Sequence, residues 1–252
     1  MHVLLDDKTA VIYGAGGSIG GTVARAFARQ GARVFLAGRT RGKLDTVADE
    51  IRSDGGSAET DVVDALDEQA IDTYVDSVAE RAGRIDVSFN LISFGDVQGT
   101  PLAEMSLEDF TRPVTTVVRT QFLTIRAAAR YMIKQEAGVI LAFGGTGEPD
   151  PLLGGLCVAF DAVESLRRQW ACELGPYSVR FVTIKTGGVP ETVPDNFTGR
   201  DEIVSGIEQA ALLNRTATLA DVGDVAAFVA SDHARTMTSA TVNISCGALV
   251  DY

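Results

Sequence analysis

Two stretches of this chain carry residues whose types and spacing bear on chemistry, and they point in different directions. Residues 13–21 read YGAGGSIGG. An apolar strand ending at Tyr13, a glycine turn and a helix opening near Ser18 make an anion site, because the first turn of a helix presents unpaired N–H groups and a partial positive charge. Gly14 permits the tight turn and Gly20 lets helix and strand pack closely; Gly16, Gly17, Ser18 and Ile19 complete a cradle for a dinucleotide pyrophosphate. Glycine clusters also serve packing alone, and it is the strand–turn–helix context that favours a cofactor. Residues 155–166, GLCVAFDAVESL, form a later helix with neither Tyr nor Lys. The glycine turn reads as built to hold a dinucleotide, and the later helix carries no Tyr or Lys that could move a proton.

The end of the second strand bears on which dinucleotide. A carboxylate there would bind the ribose 2′-OH of NAD and repel the 2′-phosphate of NADP. Gly38 stands there, followed by Arg39, with Arg41 and Lys43 nearby. A planar guanidinium suits a phosphate, so the sequence predicts NADP(H) over NAD(H), against the alternative of a solvated basic start to the next helix. Substitute proton donors are Ser93 and Asp96 after the fourth strand, and Thr146, Glu148 and Asp150 after the fifth, all at strand ends where ligands of such sheets bind. Asp96, Thr146 and Glu148 are the candidate catalytic groups, although each taken singly also fits a solvated loop residue. His2 and His233 stand at a terminus and a late helix end, unsuited to a base, and Cys157, Cys172 and Cys246 form no metal-ligand pattern.

The elements that must position these residues follow from periodicity. Short apolar runs alternate with longer amphipathic ones, which predicts βαβ units around a parallel sheet of about seven strands, helices on both faces. Strands are expected at 9–13, 33–37, 58–63, 86–92, 139–143, 179–184 and 241–244. Helices are expected after the glycine turn (Ile19, Val23 and Phe27 on one face, stopped by Gly31), around 44–51, and over 67–82, 107–135 and 157–174, with a last one near Asp221 capped by Thr218. Residues 186–213 open with a Gly- and Pro-rich run, the composition of a mobile loop over a site. No linker or repeat divides the chain, so residues 1–252 are expected as one domain.

Composition sets the outer bounds. With 252 residues, 46% hydrophobic, the chain can bury a full two-sided sheet. A net charge of −12 argues against nucleic acid, whose phosphates demand a basic face. Sparse cysteines and no recognisable signal peptide or membrane span suggest a cytoplasmic protein.

The spacing Gly14-x-x-x-Ser18-x-Gly20 resembles the TGxxxGxG turn of the short-chain dehydrogenase/reductase family, with Tyr13 in place of Thr and Ser18 in place of the middle Gly. The likeness continues through DVSFNLIS (86–93), which keeps only Asn90 of the family's LVNNAG strand, through ELGPYSVRFVTIKTGGV (173–189), and through ASDHARTMTSATVNISCG (230–247). It implies a Rossmann-type fold and a nicotinamide cofactor. By resemblance, Asp61 and Val62 fall beside the adenine, Lys185 near the carboxamide, and Gly187 and Val189 in the segment after it.

The family's catalytic helix carries a Tyr that passes a proton and, four residues on, a Lys that lowers the Tyr pKa. Matched to this chain, those positions hold Leu156 and Phe160; the supporting Ser falls on Gly145 and the Asn of the long helix on Val117. The four lysines, at 8, 43, 134 and 185, provide no substitute pair. A positioned general acid is worth ~10²–10⁴ in rate, so ketone reduction by the usual route is expected to be poor. An iminium, already charged, needs no acid.

The readings are thus an atypical NADP(H)-dependent oxidoreductase acting on a small hydrophobic substrate, such as an imine, iminium or enone, or a catalytically silent cofactor-binding protein or subunit. A non-redox cyclase or lyase on the same scaffold remains a third. The resemblance also implies a homotetramer or homodimer, joined through the helices at 107–135 and 157–174.

Overall fold

The computed structural model describes residues 3–145, 149–197 and 199–250. Its strands are β1 (Thr9–Tyr13), β2 (Arg33–Gly38), β3 (Ser57–Val62), β4 (Val87–Asn90), β5 (Gly138–Gly144), β6 (Val179–Lys185) and β7 (Ala240–Asn243). They form one parallel sheet in the order β3-β2-β1-β4-β5-β6-β7. This is the doubly wound α/β fold expected from the alternation of short and long apolar runs.

The central strands are apolar on both faces because both faces are covered. Along β1, Ala10 and Ile12 join one core with Val23, Phe27, Leu44 and Val222, whereas Val11 and Tyr13 join the other with Ile71, Val75, Ile125 and Val163. The first core is roofed by α1 (Ser18–Arg29), α2 (Arg41–Ser53) and α7 (Leu219–Ala230), the second by α3 (Glu68–Ala82), α4 (Leu107–Gln135) and α5 (Leu156–Leu174). Helix ends follow local chemistry. Gly31, at φ +91°, turns the chain after α1. Thr218 caps α7, its Oγ1 accepting from the Asp221 N–H at 3.1 Å while the Asp221 carboxylate accepts from the Thr218 N–H at 2.9 Å.

The stretch expected as a loop at 186–213 contains a short turn of helix at Pro190–Thr192 and a further helix, α6 (Arg200–Ala210). None of its residues is buried. Its apolar pair Ile203 and Ile207, one turn apart, is the sequence signal that the Gly and Pro residues ahead of it mask.

The neighbours of β1 are β2 and β4, so consecutive crossovers leave the sheet on opposite sides at that point. A crevice opens there beyond the carboxyl ends of the strands, where ligands of open α/β sheets bind.

Candidate functional site

The crevice floor is the turn between β1 and α1. Gly14 takes φ +74°, and a methyl group on it would lie 2.4 Å from the Leu91 carbonyl oxygen. A methyl on Gly20 would lie 2.3 Å from the Gly14 oxygen, so both positions exclude a side chain. The turn is closed by the Gly17 N–H donating to the Gly14 oxygen at 3.0 Å and tied to β2 by the Gly14 N–H donating to Ala37 at 2.9 Å. No side chain caps the start of α1, which leaves its first N–H groups for an anion.

Two cavities meet at this turn. The first, of about 590 Å³, is lined by Gly14, Gly16, Gly17, Gly38, Arg39, Thr40 and Lys43 on one side and by Asp64, Ala65, Arg112 and Thr116 on the other. The second, of about 960 Å³, begins at Gly17, Ser18, Ile19, Gly20 and Asn90 and runs past Phe94, Phe143, Gly145, Leu156 and Phe160 to Thr186, Gly187, Ile207 and Leu249. Both share Gly17 and residues 91–94, so they adjoin along that wall.

In the first cavity, the side chains of Arg39 and Lys43 have no ion-pair or hydrogen-bond partner among the described residues. Arg41 is committed elsewhere, donating to the Thr60 carbonyl at 3.1 Å and the Thr60 hydroxyl at 3.0 Å. Asp61 and Val62 do not reach this cavity. They line a separate depression of about 490 Å³ with Thr73 and Tyr74, and Asp61 is paired with Arg81 at 2.9 Å. Asp64 and Ala65, just past the end of β3, line the first cavity.

Tyr13 lies edge-on to Tyr74 with ring centroids 6.0 Å apart, and its buried hydroxyl has no hydrogen-bond partner among the described residues. Burial, and secondarily the Asp72 carboxylate, push its pKa far above the ordinary tyrosine value, so it stays neutral and does not serve as an acid. Asn90 holds the strand end, its amide donating to Thr124 Oγ1 at 3.2 Å and its oxygen accepting from the Ile92 N–H at 3.1 Å.

In the second cavity, α5 brings Leu156 and Phe160 to the wall, one turn apart. Its first turn can approach α4 because Gly155 has no side chain; a methyl there would lie 2.0 Å from the Phe110 carbonyl oxygen. Phe160 lies over Gly145, where a methyl would be 2.6 Å from its Cε2 and 2.7 Å from its Cζ. The ring is also edge-on to Phe94, centroids 5.8 Å apart and planes at 64°. Val117 is fully buried in the core and lines neither cavity. Asp96 and Asp150 line the second cavity and Ser93 both; Thr146 and Glu148 lie outside the described residues. Lys185 and Val189 line neither cavity, Val189 being core, while Gly187 is at the wall with Thr186 and Gly188. Phe94, Thr186, Ile203, Ile207 and Leu249 carry no sequence motif that would have marked them as wall residues.

Glu164, one turn beyond Phe160, is not a free acid. Burial alone would raise its pKa, but Arg167 at 2.8 Å and the Thr241 hydroxyl at 2.8 Å hold it below the ordinary value.

The cleft therefore fits a dinucleotide: a turn where side chains cannot stand, an uncapped helix start for a pyrophosphate, and a pocket on each side. Comparison with known proteins agrees. The family model described as enoyl-(acyl carrier protein) reductase matches residues 14–248. The chain is 30% identical to the A-factor type gamma-butyrolactone 1′-reductase of Streptomyces virginiae, over 97% of this chain and 96% of that protein. It superposes on a short-chain type dehydrogenase/reductase from Mycobacterium marinum with a TM-score of 0.86 at 27% identity, covering 99% and 98% of the two chains. It likewise resembles the NAD+-bound structure of a xylitol dehydrogenase, with a TM-score of 0.86 at 25% identity, covering 96% and 99%. With a glycine cradle in this register, on this sheet order, the chain belongs to the short-chain dehydrogenase/reductase family of oxidoreductases, whose cofactor is a nicotinamide dinucleotide.

Proposed function

We propose that this protein binds NADP(H) and acts as an oxidoreductase on a small apolar substrate without a tyrosine–lysine proton-transfer pair. The observation that carries the reading is that two cavities adjoin at the glycine turn, one flanked by Arg39 and Lys43, whose side chains have no partner among the described residues, the other walled by Leu156 and Phe160. Arg39 and Lys43 would hold a 2′-phosphate, with no carboxylate at Gly38 to repel it. Gly14, Gly17 and the start of α1 would hold the pyrophosphate. When bound, the nicotinamide supplies a hydride donor or acceptor. The residues around the second cavity position the substrate and exclude water, and such proximity is itself worth several kcal/mol (about 7–11 at best) without an acid.

Leu156 and Phe160 have no proton to give, so a proton needed by the substrate comes from solvent, from the substrate itself, or from a loop group such as Asp96. The choice is tested by NADPH oxidation against a panel of imines, enones and ketones. Turnover of imines and enones above ketones supports the reading; tight NADPH binding with no oxidation of any of them supports the second. That second reading, a silent cofactor-binding protein, draws on the sequence match: Val117, Gly145, Leu156 and Phe160 occupy all four positions matched to the family's catalytic set. Exposed Leu107, Val118 and Phe122 on α4 and Val158 on α5 support a homo-oligomer joined through these helices.

A further inference from the structure

We infer that the second cavity selects an apolar organic cation, an amine or the iminium formed from one; this deepens the oxidoreductase reading and rests on that cavity being its substrate site. The wall is largely apolar, with Phe94, Phe143, Leu156, Phe160, Ile207 and Leu249. Within it the charged residues, among those described, are Asp96 and Asp150, and no Lys, Arg or His joins them. Neither carboxylate has a cationic partner among the described residues: Asp96 accepts a hydrogen bond from the Gln98 amide at 2.6 Å, and Asp150 lies exposed at the wall.

An anionic substrate entering this cavity would leave water for a low-dielectric wall bearing two negative charges, in a chain whose net charge is −12. Phosphate- and carboxylate-bearing substrates are disfavoured by that field. A cation meets the opposite situation. Its loss of hydration is offset by the two carboxylates, and the edge-to-face pair Phe94 and Phe160 offers aromatic faces whose quadrupole attracts positive charge. The Phe160 ring can lie at the wall because Gly145 leaves the room beneath it. The same substitution that removes an ammonium from the wall thus supplies a surface suited to a substrate carrying one. An iminium also brings the positive charge that a proton donor would otherwise create, which fits a wall with no acid at Leu156 or Phe160.

The test is isothermal titration of the full chain with benzyltrimethylammonium, benzyl alcohol and phenylacetate at low salt. The ammonium is expected to bind about tenfold or more tighter than the alcohol, with no measurable binding of phenylacetate. Added salt should narrow that difference. In Asp96→Asn/Asp150→Asn the preference should vanish while NADPH binding, read by nucleotide fluorescence, is retained; Phe160→Leu should reduce the ammonium affinity alone. Phenylacetate binding as tightly as the ammonium, or a preference unchanged in the double Asn variant, overturns the inference. NADPH binding without ammonium preference sinks this inference and spares the oxidoreductase reading; ammonium preference without NADPH binding does the reverse.

Discussion

Gly145 and Phe160 should behave as a matched pair, and a methyl group is enough to test it. A Cβ on residue 145 would stand 2.6 Å from Phe160 Cε2 and 2.7 Å from Cζ, where ordinary carbon contacts are about 3.5–4.0 Å. The ring would have to retreat by roughly 1 Å, and Phe94, edge-on with its centroid 5.8 Å away, restricts that retreat. Overpacking of this kind costs about 1–3 kcal/mol. Phe160→Ala removes the three atoms nearest to the added methyl, all of them on the ring. Gly145 is not among the glycines of positive φ, so Gly→Ala there should then stabilise by about 0.4–1 kcal/mol. The same substitution changes sign between the two backgrounds, a coupling of about 1.5–4 kcal/mol. Urea unfolding of wild type, both single variants and the double variant, at one protein concentration, measures it. Gly145→Ala costing the same with and without the Phe160 ring would refute the packing argument.

Other outcomes follow from the same geometry. Leu156→Tyr/Phe160→Lys should gain NADPH-dependent ketone reduction of ~10²-fold or more over wild type; no gain in a folded variant would show that the helix does not present those positions to the cofactor. Arg39→Ala and Lys43→Ala should each weaken NADPH binding by about 10–100-fold, the worth of a charge-assisted hydrogen bond, and leave NADH binding nearly unchanged in a fluorescence titration. Because the folded-state pKa of Glu164 lies below its ordinary 4.5, its contribution to stability is present above that value and is lost as pH falls through the folded value. Glu164→Gln should therefore flatten the acid limb of the stability–pH curve, and an unchanged limb in denaturant melts between neutral and acid pH would contradict the pairing with Arg167.

The sequence determined the fold and the glycine turn by itself, because both rest on short-range constraints. Alternating apolar runs can bury only as a two-sided parallel sheet, and Gly14 and Gly20 are dictated by backbone contact at a turn four residues from its helix. The basic cluster after Gly38 was legible for the same reason, although only the structure shows Arg39 and Lys43 unpartnered while Arg41 is spent on Thr60. Tertiary structure decided the rest. Asp64, just past the end of β3, lines the first cavity, while Asp61, within the strand, lines a separate depression, a difference that two aspartates three apart do not encode locally. The wall of the second cavity comes from β4, β5, α5, α6 and the chain end. Its aromatic corner exists only because Gly145, Phe94 and Phe160, far apart along the chain, are brought together by strands that end at one edge of the sheet.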